Sequence, residues 1–124
     1  MTLKFFRCKH CGQIVTIIKE TGVPLVCCGE KMVELVANTT DAAGEKHVPV
    51  VEVNGNVAKV TVGSVLHPML DVHYIEWIVL LTNKRAHLAK LTPGQQPVAE
   101  FALLDDEEVI KAYEYCNLHS LWSN

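Results

Sequence analysis

The sequence predicts an all-β protein, in which a small cysteine-rich unit precedes an antiparallel β-sandwich. Three observations predict it. Four of the five cysteines fall in the first thirty residues, whereas from Val50 onward the chain is a succession of short apolar runs divided by turn residues. No stretch shows a strong helical period. With 124 residues, 49% of them hydrophobic, the chain can bury one real core and support a small annex.

Residues 1–36 form the first unit. Its motifs "CKHCG" and "CCG" hold Cys8, Cys11, Cys27 and Cys28. So short a segment has little apolar surface to bury, so a bound ion must supply much of its stability. The run "VANTTDAAGEK" then breaks the apolar pattern, placing a linker near residues 37–44 at the head of a second domain, 37–124. In "VPVVEVNGNVAKVTVG" two valine-rich runs flank Asn54-Gly55, which predicts a hairpin with a tight primed turn. "HYIEWIVLL" is apolar on both faces over its second half and predicts a central strand, with His73, Ile75, Trp77 and Val79 on one side. "RAHLAKL" and "VAEFALL" flank "TPGQQP" and predict a further hairpin or meander. "DDEEVIKAYEYC" opens with four acids, as a helix does, yet alternates thereafter, and is read as a strand.

The net charge of −3, with scattered lysines and arginines, argues against a nucleic-acid partner. The start "MTLKFFRCKHCGQ" has only a brief apolar run, resembling neither a secretory signal nor a membrane span, so a cytoplasmic protein is expected. Five cysteines there point to metal ligation or redox chemistry, since an odd count of reduced thiols makes a poor disulfide framework.

Four thiolates in a tetrahedron suit iron or zinc. Adjacent Cys27 and Cys28 distort a standard knuckle, which favours iron, though a structural zinc protein stays open. His10, between Cys8 and Cys11, is expected to face solvent as a non-ligand.

The second constellation is His47, His67, His73 and His119 with Cys116. His47, His67 and His73 stand at strand ends or beside a proline. In "CNLH", Cys116 and His119 share a turn that lets both side chains converge. His87 has no such company and is read as an ordinary hydrogen-bonded residue. Four neutral nitrogens and one thiolate suit iron and leave one octahedral position vacant, whereas zinc usually takes four ligands. A thiolate opposite the vacancy pushes electron density towards whatever binds there. Gly44 permits a mobile loop, and Lys46, next to His47, brings positive charge for an anionic substrate. The terminus must then be ordered, with Leu121 and Trp122 packed to hold the turn.

These residues resemble the desulfoferrodoxins, the two-iron superoxide reductases, over essentially the whole chain. "CKHCG" with "CCG" is similar to the family's desulforedoxin-type iron site, and "EKHVPV", "HPM", "HYIEWI" and "CNLH" are similar to its catalytic motifs, in order. The resemblance implies two irons: one on Cys8, Cys11, Cys27 and Cys28, the other with His47, His67, His73 and His119 equatorial and Cys116 axial. It implies a desulforedoxin-like domain, an immunoglobulin-like sandwich and a homodimer. It also implies inner-sphere one-electron reduction of superoxide to hydrogen peroxide without dioxygen, with rubredoxin or a similar protein as donor. Lys46 resembles the residue that attracts superoxide and helps deliver a proton, and Glu45 the one that occupies the sixth position of resting ferric iron. Ser120 stands where many relatives have glycine. The rival is a rubredoxin-like electron carrier, for which an open five-ligand site has no use.

Overall fold

The computed structural model describes residues 2–124, and the chain divides into two compact units, Met1–Val36 and Ala37–Asn124. In the first, β1 (Phe5–Arg7), β2 (Ile14–Thr16) and β5 (Val33–Leu35) form an antiparallel sheet in the order β2-β1-β5, while β3 (Val26–Cys27) pairs with β4 (Glu30–Lys31). Among its described residues only Phe5 and Cys8 are fully buried. Two side chains are no core, so the unit needs a staple other than apolar burial.

The second unit contains one helical turn, α1 (Gly44–His47), and seven strands: β6 (Pro49–Asn54), β7 (Val57–Val62), β8 (Ile75–Thr82), β9 (Ala86–Lys90), β10 (Val98–Ala102), β11 (Val109–Cys116) and β12 (Ser120–Ser123). They form two antiparallel sheets, β10-β7-β6 and β12-β11-β8-β9. Val60, Val62 and Phe101 of the first meet Ile78, Leu80 and Ala112 of the second in one core. This is the sandwich that the short alternating runs predict.

Local differences from expectation have physical causes. The β6–β7 turn sits one residue later, with Gly55 and Asn56 at its centre and Asn54 paired to Val57. Only Gly55 needs a positive φ, +59°, so glycine takes the first central position, as in a type II′ turn. In β8, Ile75 joins the core instead of sharing a face with Trp77. A register shift, Trp77 opposite Tyr115 but Ile75 opposite Cys116, inserts Glu76 as a bulge and turns the strand's start inward. "TPGQQP" does not close a hairpin: β9 pairs with β8 and β10 with β7, so the loop carries the chain from one sheet to the other.

His87 lies in an ionic network, apart from the other histidines. The buried Glu107 accepts hydrogen bonds from Thr82 Oγ1 (2.7 Å), Arg85 Nη2 (2.9 Å) and Nε (3.1 Å), His87 Nε2 (2.7 Å) and the Leu104 amide (3.0 Å). Buried charge is tolerated only when satisfied in this way.

Candidate metal centres

The first cluster is built by two tight backbone turns. Cys8 lies just after β1. The Gly12 amide donates to the Cys8 carbonyl (3.0 Å) and the Cys11 amide to Cys8 Sγ (3.5 Å). Between β3 and β4, Cys28 and Gly29 have φ of +52° and +76°, the two positive values of a type I′ turn. That turn is how neighbouring Cys27 and Cys28 serve one point: Sγ of Cys27 lies 3.7 Å from Cys11 Sγ and 4.0 Å from Cys28 Sγ. All four sulfurs lie within 4.8 Å of one another. The Cys11 amide holds the Cys8 thiol down to about 6, while contact with Cys8 and Cys11 pushes Cys27 up to about 12. Thiols so crowded cannot all ionise without a cation among them, which is the chemistry of a metal tetrahedron. His10 is exposed, 3.7 Å from Glu30, and outside the group.

In the second unit four histidines arrive from four separate segments. His47 ends α1, and its Nδ1 donates to the Ala43 carbonyl (2.8 Å). His67 follows β7, its amide bound to the Val62 carbonyl (2.9 Å) and its Nδ1 to the Pro68 carbonyl (2.7 Å). His73 precedes β8 in a loop closed by reciprocal Leu70–His73 backbone bonds. His119 ends the three-residue turn between β11 and β12, in which Cys116 pairs with Ser120. Asn117 of that turn accepts the Tyr74 amide (2.9 Å) and donates to the Val72 carbonyl (3.1 Å), tying the Cys116 turn to the His73 loop.

The imidazoles form a closed ring of edge-to-face neighbours. Centroids of His47–His67, His67–His73, His73–His119 and His119–His47 are 4.7, 4.6, 5.2 and 4.9 Å apart, at interplanar angles of 76–84°. His47 thus stands across from His73, and His67 across from His119. Cys116 Sγ lies 3.4 Å from His67 Nε2 and 3.9 Å from His119 Nδ1. Donor atoms of His47, His67, His73 and Cys116 fall within 4.8 Å of one another, and His119 Nδ1 is 3.1 Å from His47 Nε2.

The donor set fits a cation. A carbonyl can only accept, so Nδ1 of His47 and of His67 carries the proton and Nε2 of each is bare. His73 Nε2 is buried without a hydrogen-bond partner. Burial drives the pKa of His47 and His73 down and that of His67 to about 4, keeping the rings neutral, as ligands must be. Burial also raises the Cys116 thiol, against the pull of the Leu118 and His119 amides, so a positive ion is needed to hold it as thiolate.

Glu45 and Lys46 are exposed on α1 beside the buried His47. The Lys46 charge adds to the downward shift of His73, after burial and His119. The loop anticipated from Gly44 is a helical turn whose Glu45 carbonyl accepts the Val65 amide (2.9 Å) and Ser64 Oγ (3.2 Å).

Glu114 escapes motif reading. It is 0% exposed, neither carboxylate oxygen has a partner, and burial pushes its pKa up to about 9. Burial therefore favours the protonated carboxyl two residues before Cys116. The alternation of β11, with Ala112 and Cys116 in the core, was the available signal.

Residues 39–124 match the family model described as Desulfoferrodoxin, and residues 1–35 that of Desulfoferrodoxin, N-terminal domain. The desulfoferrodoxin of Nitratidesulfovibrio vulgaris is 49% identical over 119 residues, 96% of this chain and 93% of that protein. That of Clostridium acetobutylicum is 48% identical over 120 residues, 97% of this chain and 94% of that one. The crystal structure of the superoxide reductase from Treponema pallidum matches with a TM-score of 0.85 and 42% identity, over 100% of this chain and 99% of that chain.

Proposed function

The chain belongs to the desulfoferrodoxin family, and from that premise we propose that it is a superoxide reductase. One electron and two protons convert superoxide to hydrogen peroxide, and no dioxygen forms. The ring of four neutral imidazoles with a thiol beside it carries the reading, supported by the likeness to the Treponema pallidum reductase. Two irons per chain suit the two donor sets.

When bound, the iron of the histidine cluster supplies a one-electron couple and a coordination position free of protein ligands. His47, His67, His73 and His119 are the nitrogens that would hold it. Cys116 would hold it as well and supply thiolate charge, moderated by the amides of Leu118 and His119. Lys46 attracts the anionic substrate against the chain's net charge of −3 and orients water for proton delivery. Glu45, exposed next to it on the same helical turn, would cover the substrate side of the bound iron between turnovers.

We assign the four-cysteine iron to residues 1–36 and the reductase to residues 37–124. A rubredoxin-like protein is the proposed donor, meeting the half-buried edges of His73 and His119. Exposed Ile18, Val23, Val26 and Val33 on the small first unit support a homodimer. Cysteines committed to metal ligation and not to disulfides support a reducing compartment and hence the cytoplasm. No helix among the described residues is long and apolar enough to cross a membrane.

The test is stoichiometric. Superoxide generated by a radiolysis pulse over reduced, iron-loaded protein should yield one hydrogen peroxide per superoxide, with no dioxygen. A yield of one per two, as in spontaneous dismutation, defeats the reading.

A further inference from the structure

One side chain touches two members of the imidazole ring without being able to ligate. Trp122 is 4% exposed. Its ring stacks on His47, centroids 4.8 Å apart at 28°, and its Nε1–H donates to the His119 carbonyl at 2.9 Å. An indole offers a donor and no lone pair, so its part is orientation. The Ala43 carbonyl fixes rotation of the His47 ring about its own axis, while the stacked indole blocks its tilt. The bond to the His119 carbonyl fixes the peptide just before Ser120, where the backbone turns at φ +65°. His47 Nε2 and His119 Nδ1 are the two nitrogens 3.1 Å apart. A shift of Trp122 would move both.

Trp122 lies on β12, the four-residue edge strand of its sheet, which would fray without support. Asn38 supplies it. Its amide donates to the Leu121 carbonyl (3.1 Å), its Nδ2 donates to the Ser123 carbonyl (3.0 Å), and its Oδ1 accepts the Ser123 amide (2.9 Å). The side chain thus imitates a neighbouring peptide along β12. Asn38 does so at φ +64°, a conformation asparagine tolerates better than most residues.

We propose that Trp122 is a positioning residue for the metal centre, setting His47 by stacking and His119 through its backbone carbonyl, with Asn38 as the clamp that keeps Trp122 in register. The inference rests on the assignment of His47 and His119 as ligands and not on superoxide as substrate.

The experiment uses the full iron-loaded chain. Trp122→Phe keeps a ring over His47 but removes the N–H, Trp122→Leu removes both contacts, and Asn38→Gly keeps the positive φ but removes the clamp. Readouts are the paramagnetic resonance spectrum and thiolate charge-transfer band of the oxidised histidine centre, and iron loss from it to a chelator. Trp122→Leu should alter both spectra and speed iron loss by about tenfold or more, the usual reach of a ligand-orienting contact. Trp122→Phe and Asn38→Gly should shift them the same way by less. Throughout, the four-cysteine centre's band and the circular dichroism stay as in the parent. Unchanged spectra and iron loss in Trp122→Phe and Asn38→Gly overturn the proposal, whether or not Trp122→Leu folds. Parallel loss at the four-cysteine centre makes the effect general packing and overturns it too. Shifted spectra in a protein that does not reduce superoxide would sink the functional reading and leave this one standing.

Discussion

Gly63 stands so close to Glu45 that a Cβ on it would lie 2.5 Å from the Glu45 carbonyl oxygen and 2.8 Å from the carbonyl carbon of Lys46. Both are backbone atoms, so no side chain can swing aside. The same Glu45 carbonyl takes hydrogen bonds from Ser64 and Val65. The turn after β7 is thereby docked against α1, which carries Glu45, Lys46 and His47. Gly63→Ala should displace α1, lower stability by about 1–3 kcal/mol as overpacking does, and slow the reaction with superoxide. Thermal unfolding and pulse radiolysis of the variant check this, and an unchanged melting temperature contradicts it.

Ser120 occupies the left-handed region at φ +65°, between His119 and Leu121. In that region a Cβ is strained and glycine is not. Ser120→Gly should stabilise the protein by on the order of 1 kcal/mol. A urea midpoint at or below that of the parent would show that the strain is relieved elsewhere.

Glu107 carries a pH dependence remote from the metal clusters. The Arg85 guanidinium, aided by the Leu104 amide, Thr82 and His87, holds its carboxyl well below the ordinary value of 4.5 against the cost of burial. A depressed folded-state pKa means the unfolded chain binds the proton first, so the stabilisation is complete above about pH 4.5 and is lost as pH falls towards the folded value. Glu107→Gln should be less stable than the parent by a constant margin between roughly pH 8 and 9, where carboxylates are ionised and histidine is neutral, and the margin should shrink in acid. Paired denaturation curves across pH measure it. A margin independent of pH rules out the charge as its source.

Lys46→Ala removes the positive charge next to His47 while leaving the helical turn. The second-order rate with superoxide should fall about tenfold, and its dependence on ionic strength should flatten. Equal rates and equal salt dependence would end the steering role.

Cys116→Ser replaces an ionisable thiol by a hydroxyl that stays protonated in its buried setting. Superoxide reduction should be abolished while the colour of the four-cysteine centre persists. Retained reduction in this variant would refute the role of Cys116 as the thiolate ligand.

Much was legible in the chain alone. Cys8, Cys11, Cys27, Cys28 and the five residues from His47 to His119 stand out because metal chemistry admits few donor types, and because turns such as "CNLH" bring two donors together locally. Alternation identified β11 and the two-faced apolar run identified β8, since a strand's period of two is a local property. Other features needed the fold. Which sheet β9 and β10 enter depends on pairing between strands far apart in sequence. So does the bulge that turns Ile75 inward beside Cys116. Asn38, Asn117 and Trp122 support the imidazole ring by side-chain hydrogen bonds to backbone carbonyls and amides, and Gly63 by its missing Cβ; the partners are backbone groups that every residue offers. Composition and spacing thus determine the donors and the strands. Tertiary structure alone decides their orientation, because it rests on contacts to backbone groups distant in sequence, which carry no residue signature.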